Sequence, residues 1–219
     1  MINQIAQEVL RQMKAMQGSA SVGSASSVGG VLLSDMRPGA KVSDIKQLLE
    51  TARQNNCYGV CIPQWFISVA KETLVGTGVK IATIVGLPEG TNSPLAKYAE
   101  IKQAVVNGID IVMVPVNMDY AKAGNTKAVA KDFAESITAS RGKAKSAAVI
   151  EVCGMDNSKL VACANALVAS GADAIVLSCI TGGRVSSDMV SAVKANGYTV
   201  GVIGGAADPA GADWVVKRG

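Results

Sequence analysis

The chain has 219 residues, 49% apolar and 17% charged, with a formal charge of +4 and no histidine. That composition excludes a disordered chain and suits one large core, since a chain of this length can fold as a single unit. The lysines are scattered without interleaved aromatics and no apolar run reaches the roughly 18 residues of a membrane span, so neither nucleic acid nor membrane is an expected partner.

Residues 1–17 place Ile2, Ile5, Val9, Met13 and Met16 on one helical face, with Gln, Arg and Lys on the other. Residues 18–30 have the Gly/Ser composition of a flexible tether with a reach of about 20 Å. No continuous apolar stretch resembles a secretory signal, and the cytoplasm is the expected compartment. From Val31 the pattern alternates between apolar runs and helical periods. It predicts strands over Val31–Ser34, Tyr58–Ile62, Lys80–Val85, Ile109–Val116, Ala147–Val152, Ala174–Ser178, Thr199–Ile203 and Trp214–Lys217. Helices are predicted near 43–55, 65–75, 95–107, 126–140, 157–170 and 186–196, with Asp156 and Ser186 as N-caps.

Eight strands with helical links predict a parallel (β/α)8 TIM barrel over 31–219. The last quarter departs from that plan. Only Gly204 to Ala212 and then Asp213 separate strands seven and eight, at the lower limit of the roughly ten to twelve residues of a helical crossover. No helical pattern follows strand eight. The barrel is therefore expected to be incomplete at its C-terminal end. The outer faces of its final strands are expected to expose an apolar patch, filled by the N-terminal helix or by another subunit.

The five cysteines, Cys57, Cys61, Cys153, Cys163 and Cys179, form no C-x-x-C pair, and several lie in apolar strand patterns. Buried, reduced thiols are the expectation, with no metal site and no cofactor. The lack of histidine also removes Ser-His and Cys-His nucleophile schemes.

Several segments in order carry a more specific signal: G-V-K-I-A-T-I-V-G-L-P-E-G-T-N (78–92), G-I-D-I-V-M-V-P-V-N (108–117), I-E-V-C (150–153), G-A-D-A-I-V-L-S-C-I-T-G-G (171–183), V-G-V-I-G-G (200–205) and A-G-A-D (210–213). Together they resemble the deoxyribose-phosphate aldolase family. The resemblance implies Schiff-base chemistry by a lysine on strand six, assisted by a second lysine on strand seven and an aspartate on strand four. In this chain those positions fall on Val176 (Leu177 if the register slips by one), Ile203 and Met113. An amine nucleophile needs a lysine of lowered pKa, and none of the three replacements supplies one. Asp110, nearer the strand start, is a poor substitute for the aspartate.

Two functional readings stay open. In one, the chain is a non-catalytic or repurposed relative that binds a phosphorylated sugar or aldehyde, or serves in assembly. In the other it is a working lyase that cleaves deoxyribose 5-phosphate or a related aldol with a relocated amine, for which Lys217 at the end of strand eight is the candidate. Lys80 begins strand three, at the opposite face.

The family's glycine-rich phosphate turns are better kept. Gly182, Gly183, Arg184, Gly204, Gly205 and Arg218 are candidate phosphate-binding residues, with backbone N–H groups and guanidinium groups as donors. Those glycines equally fit tight strand-to-loop turns. Cys61 is a candidate pocket residue, and Asp35 and Arg37 candidate pocket wall. The helix of residues 1–17 on its tether resembles the encapsulation peptides that dock enzymes into bacterial microcompartments. The resemblance implies docking to a shell protein and a place inside such a compartment. Homo-oligomerisation, or covering of the chain's own barrel, is the competing use of that helix.

Overall fold

A computed structural model describes residues 30–87, 89–179, 182–204 and 210–219. Residues 1–17 and nearly all of the 18–30 tether lie outside that set. In chain order the elements are β1 (Val31–Ser34), α1 (Val42–Gln54), β2 (Gly59–Cys61), α2 (Ile67–Thr73), β3 (Lys80–Ile84), α3 (Pro94–Val106) and β4 (Ile111–Pro115). There follow α4 (Met118–Lys122), α5 (Thr126–Ser136), β5 (Lys145–Glu151), α6 (Asn157–Ala169), β6 (Ala174–Ser178), α7 (Ser187–Lys194), β7 (Val200–Ile203) and β8 (Trp214–Arg218). Every strand pairs in parallel with its neighbours, and β8 returns to β1 to close the ring. The predicted TIM barrel is the observed fold.

The helices form where the sequence offers one apolar stripe and a cap. In α1 the buried residues are Ile45, Leu48, Leu49 and Ala52, and in α6 they are Leu160, Cys163, Ala164 and Leu167. Both sets follow the i, i+3, i+4, i+7 spacing of a single helical face. Asp156 and Ser186 cap α6 and α7 by accepting the N–H groups of Lys159 and Met189, as expected. The five-residue α4 has no counterpart among the predicted helices. The side chain of Asn117 starts it by accepting from Asp119 and Tyr120.

Three aspartates that stand just before strands work as staples at the N-terminal face of the barrel. Asp110 accepts the N–H of Ile81, Asp173 that of Ser146 and Asp213 that of Val200, each at 2.8 Å. The backbone N–H of each aspartate donates back to the carbonyl of the same residue. The recurring G-x-D pattern therefore joins adjacent strands, and Asp110 has a structural task.

A second device holds the loop after β3. Lys97 lies on the core-facing stripe of α3 and is 0% exposed. Its ammonium pairs with Asp132 of α5 and donates to the carbonyl of Gly90 at 3.1 Å. Glu100 accepts the N–H of Gly86 in the same loop at 2.8 Å. At Gly90, φ is +67° and any Cβ would overlap the backbone of Pro115 and Val116. Only glycine fits that close approach.

The apolar patch expected on the outer faces of the last strands is absent among the described residues. Val200, Val202 and Val215 are buried in one cluster with Val190 and Val193 of α7 and Ala212 of the β7–β8 link. In that link, Gly204 and residues 210–213 carry no helix, while 205–209 lie outside the described residues.

Candidate functional site

Alternate strand residues face the barrel interior, and that interior is filled by an apolar cluster including Leu32, Cys61, Ala82, Met113, Val176 and Trp214. The indole of Trp214 occupies the space next to Gly201, where any Cβ would collide with the ring. Below it, Tyr58 stacks on Trp214 with ring centroids 6.4 Å apart. Ligand chemistry in this fold belongs to the C-terminal mouth, where the strands end in loops.

All three positions singled out on strands four, six and seven face inward. Met113 and Val176 are fully buried in the interior cluster, and Ile203 is half-buried against it. Leu177, the alternative on β6, lies in the cluster on the helix side of the sheet. The other inward positions, judged by alternation from these residues, are Ile111 and Pro115 on β4, Ala174 and Ser178 on β6, and Gly201 on β7. No register on these strands brings an amine inward.

Lys217 pairs with Leu33, which packs against α1 on the helix side. It shares the outward parity of Val215, away from the mouth's floor. Lys80 borders a recess of about 520 Å³ at the opposite, N-terminal face, together with Lys145, Arg141 and Asp173.

The floor of the mouth is apolar, formed by Met36, Ile84, Ile203 and Val216 as they pack on the interior cluster. Its rim is polar. Asp35, 4% exposed, accepts from Arg37 Nε at 2.8 Å and from Nη2 at 2.6 Å. That guanidinium holds the Asp35 carboxyl below its ordinary value against the opposing effect of burial, and the charge of Arg218 acts in the same direction. Arg218 thus comes to the Asp35 side of the rim. Arg184 is exposed in the loop before α7.

Gly182, Gly183 and Gly204 adopt φ of +118°, +122° and +82°, so tight turns require glycine at each. Gly205 lies outside the described residues. Cys61, the candidate pocket residue, lies in the interior cluster, as the apolar strand pattern around it also suggests. It is 0% exposed inside the packed interior, and burial pushes its thiol up to about 12. It is a core thiol.

Folding also assembles a group that spacing alone did not reveal. Glu151 ends β5, Cys153 follows it by two residues, and Cys179 follows β6; their ligand atoms all lie within 4.8 Å of one another. The thiol of Cys153 donates to the carbonyl of Gly182 at 2.7 Å. Burial raises the thiol of Cys179, and Cys153 and Glu151 raise it further. A signal for this group lies in E-V-C and S-C, polar residues that end adjacent strands at one level.

A closed ring of eight parallel strands with helices packed around it defines a (β/α)8 TIM barrel. No family model matches the chain. It is 31% identical over 188 residues to the deoxyribose-phosphate aldolase of Geobacillus sp. (strain WCH70), covering 84% of each chain. It is 34% identical over 170 residues to deoxyribose-phosphate aldolase 2 of Bacillus licheniformis, covering 76% of each. Among solved structures, a Coccidioides immitis protein assigned as a deoxyribose-phosphate aldolase superposes with a TM-score of 0.81 at 21% identity, over 96% of this chain and 92% of that one. The tetrameric deoxyribose phosphate aldolase of Aeropyrum pernix gives 0.73 at 19% identity, over 87% and 86%. The chain belongs to the deoxyribose-phosphate aldolase family.

Proposed function

We propose that this chain is an aldolase relative that binds a phosphorylated sugar or aldehyde at its mouth without forming a Schiff base. One observation carries the reading: the inward faces of β4, β6 and β7 present Met113, Val176, Ser178, Gly201 and Ile203, and no lysine. None of these side chains forms a carbinolamine. The glycine turns at 182–183 and 204, with Arg184 and Arg218, support retention of an anion site. The test is incubation with deoxyribose 5-phosphate with and without borohydride. No aldehyde release and no mass adduct are expected, while calorimetry with inorganic phosphate or the sugar phosphate gives a binding isotherm. Release of acetaldehyde together with a trapped adduct would overturn the reading, and an adduct mapped to Lys217 would establish the competing lyase.

Docking of residues 1–17 to a microcompartment shell within the cytoplasm is part of the same proposal, supported by their amphipathic pattern. A reporter carrying residues 1–20 is expected to form foci in shell-producing cells; a diffuse reporter refutes it. Self-association is proposed on the tetrameric precedent of the Aeropyrum pernix aldolase. A sedimentation mass of one chain would exclude it.

A further inference from the structure

The geometry points to a site for a thiophilic divalent cation of the zinc class at the barrel mouth, held by Glu151, Cys153 and Cys179. Two sulfurs and a carboxylate oxygen lie within 4.8 Å of one another. In a tetrahedral zinc site, bonds of about 2.0–2.3 Å put ligand atoms roughly 3.5–3.8 Å apart, so a modest inward closure completes the set. Two of the donors stand where paired strands end. Glu151 is in register with Ser178 on β6, and Val152 N–H donates to the Ser178 carbonyl at 2.9 Å. Cys179 N–H donates to the Ile203 carbonyl at 3.2 Å. Adjacent strand ends therefore position Glu151 and Cys179, and Cys153 stands two residues beyond β5, with its thiol on the Gly182 carbonyl.

Donor chemistry selects the ion. Two thiolates favour zinc-class cations over magnesium or calcium, which take oxygen ligands. Three protein ligands leave the fourth position open for water or another oxygen donor, the pattern of reactive rather than purely structural zinc sites. The Gly182–Gly183 turn closes over the sulfurs: a Cβ on Gly183 would stand 3.2 Å from Cys179 Sγ and 3.8 Å from Cys153 Sγ. A bare glycine there leaves the thiols uncrowded. On coordination each thiol gives its proton to solvent, so two protons leave for each ion bound. The cluster needs no sugar phosphate to bind its ion, and metal binding is independent of the ligand assigned to the mouth.

The experiment strips the full chain with chelator and reductant, then titrates it with cobalt(II) and displaces the cobalt with zinc. One equivalent per chain is expected, with a sulfur-to-cobalt charge-transfer band that zinc abolishes and a rise in melting temperature on adding zinc. Cys153→Ser and Cys179→Ser are each expected to lose the band and the thermal shift, and Glu151→Gln to weaken zinc binding. Cys163→Ser, on α6, is expected to keep both. Circular dichroism checks that the variants are folded. A stripped chain that gives no band overturns the proposal, and so does a Cys153→Ser variant that keeps it. Cysteines that close into a disulfide under reductant and excess zinc, read as a mass two hydrogens lighter, overturn it as well.

Discussion

Replacing Lys97 with Met keeps a side chain of similar length and removes the ammonium. The Asp132 carboxylate, 8% exposed, then loses its partner, and the Gly90 carbonyl loses a donor at 3.1 Å. Breaking a buried pair from one side costs about 3–5 kcal/mol, because a charge stays behind in a poorly solvating site. The bond to Gly90, about 1.5–3 kcal/mol for a charged donor, falls within that range. In a domain of this size each kcal/mol lowers the melting temperature by about 2–4 °C, so a fall of about 6–20 °C is expected. Adding Asp132→Leu removes the stranded charge, and the double variant should recover most of the loss. Urea unfolding followed by circular dichroism, run as a double-mutant cycle, measures the coupling. A single-variant loss below about 1 kcal/mol, or a double variant as unstable as the two single losses combined, would refute the reasoning.

Three further outcomes follow from the interior and the rim. Gly201→Ala sets a methyl against the Trp214 indole, and overpacking of this kind costs about 1–3 kcal/mol; Trp214→Leu in the same chain should relieve it, and equal instability of the two would refute the clash. Burial raises Cys61 to about 12 and Cys163 to about 11 from 9. The folded chain therefore keeps protons that the unfolded chain loses above about pH 9, and stability should fall by about 1.4 kcal/mol per pH unit for each thiol until its folded value is reached. Urea midpoints across pH 8–11 should show that slope, and Cys61→Ala with Cys163→Ala should flatten it. Asp35→Asn frees the Arg37 guanidinium and removes a negative charge facing Arg218; calorimetry should show tighter phosphate binding, and unchanged affinity would remove this rim from the anion site.

The frame was legible wherever one element carries its own signal. V-L-L-S and A-I-V-L-S are short apolar runs bounded by turn residues, and both strands begin and end where expected. α4 was missed because five residues show no helical period, and its only mark is Asn117 as a cap. Pairings across elements were not legible. Lys97 interrupts an apolar stripe, and nothing local says that Asp132, 35 residues away, answers it. Cys153 and Cys179 meet only because β5 and β6 stand in a register that sets Glu151 beside Ser178. For Cys61 the apolar run that holds it favours a buried thiol, and its place near a strand end left the pocket reading open; packing in the interior cluster leaves it 0% exposed.

The staples Asp110, Asp173 and Asp213 and the Lys97-held loop stand in the segments that make this chain recognisable as a relative of aldolases. Two of the staples sit in G-A-D and one in G-I-D, and Gly86 and Gly90 sit in G-L-P-E-G. Kinship is thus written largely in joinery, at the face of the barrel away from the mouth and in one loop that a buried lysine ties down. In this chain joinery and mouth stand on separate residues, so the joints can hold the barrel closed whatever side chains furnish the mouth.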